Sequence, residues 1–254
     1  MEILECKRLY KYFGEVKAVN GVDFTLKKGQ IKALIGPNGA GKTTLVNLIS
    51  GYLKPDRGKV FFNGKDITGY PPHKISKEGI VRTFQVPRVF MNLSVIDNIR
   101  VALISRFNKV LTIHRSLEKM EDITRNAMEL LDLVGLKSKA YERTSDLSHG
   151  DIKLLDFSIA LALDPTILIL DEPTSGVGVS ERDLIIKTIV NVVRRKGIPT
   201  LMIEHDMEVV FNYAEEITVM SEGKIIAEGK PGDVENNPVV QEIVLGGARR
   251  NAPA

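Results

Sequence analysis

Gly36-Pro37-Asn38-Gly39-Ala40-Gly41-Lys42-Thr43 fits the pattern G-x-x-x-x-G-K-T, in which glycines let successive backbone N–H groups turn toward phosphate oxygens. Ahead of it, Ile31-Lys32-Ala33-Leu34-Ile35 reads as a buried strand. Behind it, Thr44-Leu45-Val46-Asn47-Leu48-Ile49-Ser50 is apolar at helical spacing, and Gly51 marks a helix stop. Strand, glycine loop and helix together form a P-loop, and the helix N-terminus adds its positive dipole end. Lys42 is placed to reach the β- and γ-phosphates of a nucleotide, and the Thr43 hydroxyl to ligate Mg²⁺. Gly36, Pro37, Asn38, Gly39, Ala40, Gly41, Lys42, Thr43 and Thr44 are thus nucleotide-binding candidates.

The remaining composition narrows the class. At 254 residues and 43% hydrophobic, the chain can bury a sizeable core as one domain with a subdomain. A net charge of +3, well mixed in sign, gives no reason to expect nucleic acid as a partner. Cys6 is the single cysteine, so no internal disulfide forms. His73, His114, His149 and His205 show no metal-ligand spacing. The N-terminus lacks a signal-peptide pattern, and no apolar run approaches the ~18 residues of a membrane helix. A soluble chain is expected, with any membrane role exercised through a partner.

Around the P-loop, residues 1–30 alternate as strands, and 58–63 form another strand closed by the turn Asn63-Gly64. Residues 80–85 read as a strand ending at Gln85. From about 87 to 163 the pattern is helical. Leu117, Met120, Ile123, Ala127, Leu130, Leu131 and Val134 share one face there, and Gly135 follows as a stop. Ile167-Leu168-Ile169-Leu170 and Thr200-Leu201-Met202-Ile203 are continuously apolar strands. The helix between them turns Leu184, Ile185, Ile189, Val192 and Val193 inward and ends on Arg194, Arg195 and Lys196. Such strands, separated by helices, indicate a parallel sheet covered on both faces. Residues 217–220 and 224–227 form a hairpin, and the tail, 247–254, is expected to be disordered.

Two further motifs carry chemistry. The strand 167–170 delivers Asp171 and Glu172 at its C-terminal end, where open α/β sheets bind ligands. Asp171 suits Mg²⁺, directly or through water. Glu172 faces the other way, since side chains alternate along a strand, and suits polarising an attacking water. Leu147-Ser148-His149-Gly150-Asp151 precedes a helical stretch, Ile152 to Leu163, and Ser148 with the Gly150 backbone at that helix N-terminus makes a second anion site.

The order of these motifs resembles the ATP-binding-cassette family from about residue 4 to 246. Residues 36–43 match its Walker A and 167–172 its Walker B. Residues 147–151 match its signature peptide, usually L-S-G-G-Q. The resemblance also implies roles for Gln85 as the Q-loop glutamine on Mg²⁺ and water, His205 as the γ-phosphate switch, and Phe13, with Tyr12 as its competitor, as the ring on which adenine stacks. It implies an α/β fold, a P-loop ABC-type nucleotide-binding domain over 1–246, with an antiparallel β subdomain and a helical subdomain near 87–163. It further implies ATP and Mg²⁺ as ligands and a head-to-tail dimer with a second ATPase, identical or not. The partners would be integral-membrane permease subunits at the cytoplasmic face of the membrane and, indirectly, a substrate-binding protein.

Within the family, Gly79-Ile80-Val81-Arg82-Thr83-Phe84-Gln85, Glu204-His205-Asp206-Met207 and the stretch 238–246 resemble ATPases of branched-chain amino-acid uptake. Urea and amide importers, and the lipopolysaccharide-export ATPase, share much of this pattern. A DNA-repair ATPase would place a long coiled coil between P-loop and signature, where only about 100 residues stand. A translation factor of the family would carry two cassettes. The chain departs from the pattern at His149 and Asp151 of the signature and at Ser175-Gly176-Val177-Gly178, where S-A-L-D is usual.

Overall fold

The computed structural model describes residues 1–106 and 117–245. The expected tail, 247–254, lies outside them. In chain order the strands and helices are β1 (Glu2–Phe13), β2 (Val16–Lys27), β3 (Ile31–Ile35), α1 (Lys42–Ile49), β4 (Arg57–Phe62), β5 (Lys65–Asp66), α2 (Pro72–Glu78) and β6 (Ile80–Arg82). There follow α3 (Val95–Arg106), α4 (Leu117–Leu133), α5 (His149–Ala162), β7 (Ile167–Asp171), α6 (Val179–Lys196) and β8 (Thr200–Ile203). The chain closes with α7 (Met207–Tyr213), β9 (Glu216–Ser221), β10 (Lys224–Gly229), α8 (Pro231–Glu235) and α9 (Pro238–Val240). These elements form two compact units, residues 1–80 with 197 onward, and residues 81–196.

The first unit holds an antiparallel sheet in the order β2-β1-β4-β5. Leu4, Cys6 and Leu9 of β1 meet Leu26, Phe24 and Val22 of β2, all of them buried, as the alternation requires. Burial pushes the Cys6 thiol pKa up. A bulge at Arg8 (φ 46°) interrupts the ladder. Gly58 faces it at φ 89°, where a Cβ would stand 2.2 Å from the Arg8 carbonyl oxygen, so only glycine fits. The same unit carries the run β10-β9-β3-β8. Here β3 is parallel to both β8 and β9, as the continuous apolar strands indicate, and β9 and β10 form the expected hairpin. Within that run Lys32 is fully buried, its ammonium 2.7 Å from Glu216 and 3.1 Å from Glu228.

In the second unit β7 lies beside β6, and α3 packs on α4 and α5, with α5 also on α6. Buried Asn98 knits this unit. Its amide donates to Thr144 Oγ1 at 3.0 Å and its oxygen accepts from Phe90 N at 2.7 Å. Of residues 87–163, α-helix occupies α3, α4 and α5, with short 3-10 turns at Lys137–Lys139 and Thr144–Asp146; residues 87–94 are irregular, with a turn at 91–92, and 107–116 fall outside the described residues. On α4, Ile123, Ala127 and Leu131 are buried and Leu130 half-buried. The side chains of Leu117 and Met120 are outside the description.

Two expectations change. The strand from Ile80 ends at Arg82 rather than Gln85. Thr83 N still reaches Ile169 O at 2.9 Å, but beyond it the buried Asp156 carboxylate of α5 takes the chain over, accepting from Arg88 N at 3.1 Å. On α6, Leu184 is 66% exposed, while Ile186 and Val190 join Ile185, Ile189, Val192 and Val193 in the core. At about 100° per residue, Leu184 falls on the side of the Asp183–Lys187 ion pair.

Candidate functional site: a phosphate loop and a carboxylate cluster

In the first unit the fully buried β3 runs into residues 36–41 and then into α1. Gly36 sits at φ 148°, where a Cβ would be 2.1 Å from the Met220 carbonyl oxygen. Gly41, at φ 101°, is the N-cap of α1 and supplies no capping side chain, so the first amides of the helix point into the loop. Ala40 is buried, Asn38, Gly39 and Thr43 are exposed, and Pro37 and Thr44 half-buried. The Lys42 side chain folds along the loop, its ammonium donating to Gly36 O at 2.6 Å and Pro37 O at 3.0 Å. A turn of amides, a helix N-terminus and a buried ammonium make a strong oxyanion receptor.

Phe13 ends β1 at 48% exposure, with the Lys11 ammonium 5.8 Å from its ring centroid. Tyr12 is half-buried, and its backbone N–H donates to Asp56 at 2.6 Å. His205 follows β8 and is exposed. Next to it, Asp206 caps α7, accepting from Glu208 N at 3.1 Å and Val209 N at 3.4 Å.

In the second unit β7 delivers Asp171 at its end. Glu172 then leaves extended backbone at φ 49°, so strand alternation does not set its direction. Its carboxylate accepts from the Gln85 amide at 2.7 Å, bringing two expected site residues together. Asp171 is paired with Arg82, guanidinium to carboxylate, at 2.5 Å. Beneath them, buried Lys153 of α5 donates to Gln85 O at 2.7 Å, Ser175 Oγ at 3.1 Å and Glu172 O at 3.3 Å. Burial raises the Asp156 carboxyl pKa, an effect opposed by the amides of Arg88 and Phe84 and the charges of Lys153 and Arg88.

Ser148 is the N-cap of α5, its hydroxyl accepting from Asp151 N at 3.1 Å. Ser148 and His149 are exposed. Gly150 is buried, and a Cβ there would press Ile185 Cδ1 at 3.1 Å and Glu181 Oε2 at 3.3 Å. The Asp151 carboxylate is engaged by Lys139 at 2.6 Å. This hydrogen bond raises the Lys139 pKa.

Sequence reasoning passed over Arg82, Lys139, Lys153 and Asp156. The available signal was Lys153 and Asp156 standing one helical turn apart among Leu154, Leu155 and Phe157, where an apolar face was due.

A P-loop on a β-strand, with a carboxylate pair at another strand end, defines the class of P-loop nucleotide-binding domains. The chain belongs to the ABC transporter family, whose profile, described as "ABC transporter", matches residues 19–175. It is 40% identical over 248 residues to the probable branched-chain amino acid transport ATP-binding protein LivG of Archaeoglobus fulgidus, covering 97% of this chain and 96% of that one. It is 34% identical over 254 residues to the high-affinity branched-chain amino acid transport ATP-binding protein LivG of Escherichia coli, covering 97% and 98%. Among solved structures it resembles the ADP conformation of an ATP-binding cassette of an ABC transporter, with TM-score 0.84, 35% identity and coverage of 97% and 99%. The protein is thus an ATP-binding, ATP-hydrolysing subunit of an ABC transporter, of the LivG-like branch. No described helix is long and apolar enough to cross a membrane.

Proposed function

We propose that the chain hydrolyses Mg²⁺-bound ATP in a head-to-tail dimer and drives import of branched-chain amino acids. It would act at the cytoplasmic face of the membrane, through a separate permease supplied by a substrate-binding protein. The observation that carries the substrate is similarity along 97% of the chain to relatives named for that transport.

In this reading Phe13 stacks on adenine. The amides of residues 36–41, with Lys42, Thr43 and Thr44, hold the phosphates. Ser148 and Gly150 close on the γ-phosphate of ATP held by the other copy. Glu172 takes the proton from the water that attacks the γ-phosphorus as the bridging oxygen leaves with ADP. The Gln85 amide keeps the Glu172 carboxylate directed, and His205 holds the γ-phosphate in line.

Mg²⁺ prefers oxygen ligands, keeps several waters and uses one or two carboxylates alongside substrate phosphates. The Thr43 hydroxyl, the Asp171 carboxylate and the Gln85 amide are donors of that kind. Among the described residues no group of three or more His, Cys, Asp or Glu side chains stands ready for a metal, which fits an ion carried largely by its nucleotide. When bound, Mg²⁺ offsets charge on the phosphate oxygens.

Deleting the gene in its native organism should abolish uptake of radiolabelled leucine and leave urea uptake intact. The parent gene should restore leucine uptake. A Lys42→Ala copy should not, and the purified variant should lose at least about a hundred-fold in ATPase rate. Leucine uptake that survives the deletion, with urea uptake lost, would overturn the substrate assignment.

A further inference from the structure

Arg82 stands at the end of β6, and Asp171 at the end of the neighbouring β7. Guanidinium and carboxylate meet at 2.5 Å, with side chains only 8% and 13% exposed. The guanidinium also lies 5.3 Å from the Phe84 ring centroid, so ring and carboxylate both hold it. A carboxylate this far out of water needs a cation beside it. Guanidinium is charged at every physiological pH, so this compensation does not switch off.

We infer that Arg82 is the resident counter-ion of Asp171 and competes with the divalent cation, so that the carboxylate accepts metal only when it arrives with nucleotide. This rests on the reading of Asp171 as the Mg²⁺ carboxylate. A bare dication approaching Asp171 meets a full positive charge already on that carboxylate, in surroundings that screen poorly. Mg²⁺ also sheds water reluctantly. The triphosphate supplies the negative charge that tips the balance. Binding of metal is thereby tied to binding of ATP, and the site resists loading with metal alone.

The test uses the full chain without nucleotide and Mn²⁺ as the probe, with free Mn²⁺ counted by electron paramagnetic resonance. Arg82→Gln keeps an N–H donor for Asp171 but removes the charge, whereas Arg82→Lys keeps the charge. Arg82→Gln should bind Mn²⁺ at least about ten-fold more tightly than the parent, the minimum effect of removing a unit charge beside a dication. Its melting temperature should climb with Mn²⁺ while that of the parent stays level. Arg82→Lys should behave as the parent, and adding Asp171→Asn to Arg82→Gln should erase the gain.

Equal Mn²⁺ affinity in Arg82→Gln and the parent, or a gain in Arg82→Lys as well, overturns the inference. If Arg82→Gln unfolds without metal, refolding at millimolar Mn²⁺ is the expected result and failure to refold counts against it. The underlying reading has its own arm, in the Mg²⁺ effect on ATP affinity of Asp171→Asn alone. If that variant keeps the parent's response, Asp171 is not the metal carboxylate and the inference falls with it.

Discussion

At the scale of single residues, Lys153 is the side chain on which the carboxylate cluster depends. Its buried ammonium joins the backbone carbonyls of Gln85 and Glu172 and the Ser175 hydroxyl, fixing both ends of the Gln85–Glu172 hydrogen bond from below. Lys153→Met should leave nucleotide affinity close to that of the parent but cut turnover about ten- to a hundred-fold, the cost of a small misplacement of a reacting group. Lys153→Arg should recover part of it. Steady-state ATPase rates set against fluorescent-nucleotide binding separate the two parameters, and equal losses in both would show a general loss of structure instead. The residues legible in the sequence were those with a motif to mark them, such as Lys42, Asp171 and Glu172. Lys153 carries no such mark, and Arg82 sits in a marked stretch that gave it no role, because a lysine in a helix and an arginine in a strand read as solvent-facing until partners from distant sequence enclose them. The motif marked Glu172 as a candidate but misjudged its direction, because strand alternation stops one residue earlier at its positive φ.

The element that organises the second unit is α5. It begins at the Ser148 cap, and its inner face presents Lys153 to the Gln85 loop and Asp156 to the amide of Arg88. Burial raises the Asp156 pKa above the usual 3.8. The folded state therefore holds this proton at pH values where the unfolded chain has released it. That contribution to stability is fully present below the unfolded pKa and is lost as pH rises through the folded one. Asp156→Asn cannot ionise and escapes the loss. The stability difference between variant and parent should shift in the variant's favour as pH rises above the usual carboxylate range, read from urea midpoints. A difference constant over that rise would mean that Asp156 does not carry the effect. Periodicity located α5, β7 and β8 well, since long apolar patterns survive folding. It overran β6, where the side chain of Asp156 replaces the ladder, and misplaced Leu184, where a broad apolar stripe left its edge ambiguous.

At the scale of the whole molecule, the proposed head-to-tail dimer places Lys42 of one copy and Ser148 of the other on the same γ-phosphate. A Lys42→Ala chain and a Ser148→Arg chain should each be inactive alone. Mixed one to one, random pairing makes half of the dimers heterodimers with one intact site, so about a quarter of parent activity should return. No recovery, with heterodimers demonstrated by crosslinking, would mean either strict coupling of the two sites or a signature peptide that works within its own chain, and closure of a Glu172→Gln dimer on ATP separates the two. The engagement of Asp151 by Lys139 is relevant here, because the acceptor that replaces the usual glutamine is already occupied within its own chain. Cys6 offers a practical way to watch that dimer form. It is the single cysteine of the sequence, and it is buried under β2 and β4 with its thiol pKa raised. Maleimides and methanethiosulfonates need an accessible thiolate, so to such reagents the native chain is effectively cysteine-free. A single cysteine placed at exposed Tyr141 could therefore carry a spin label or fluorophore in an otherwise unaltered background, and distances between two such probes would report opening and closing directly.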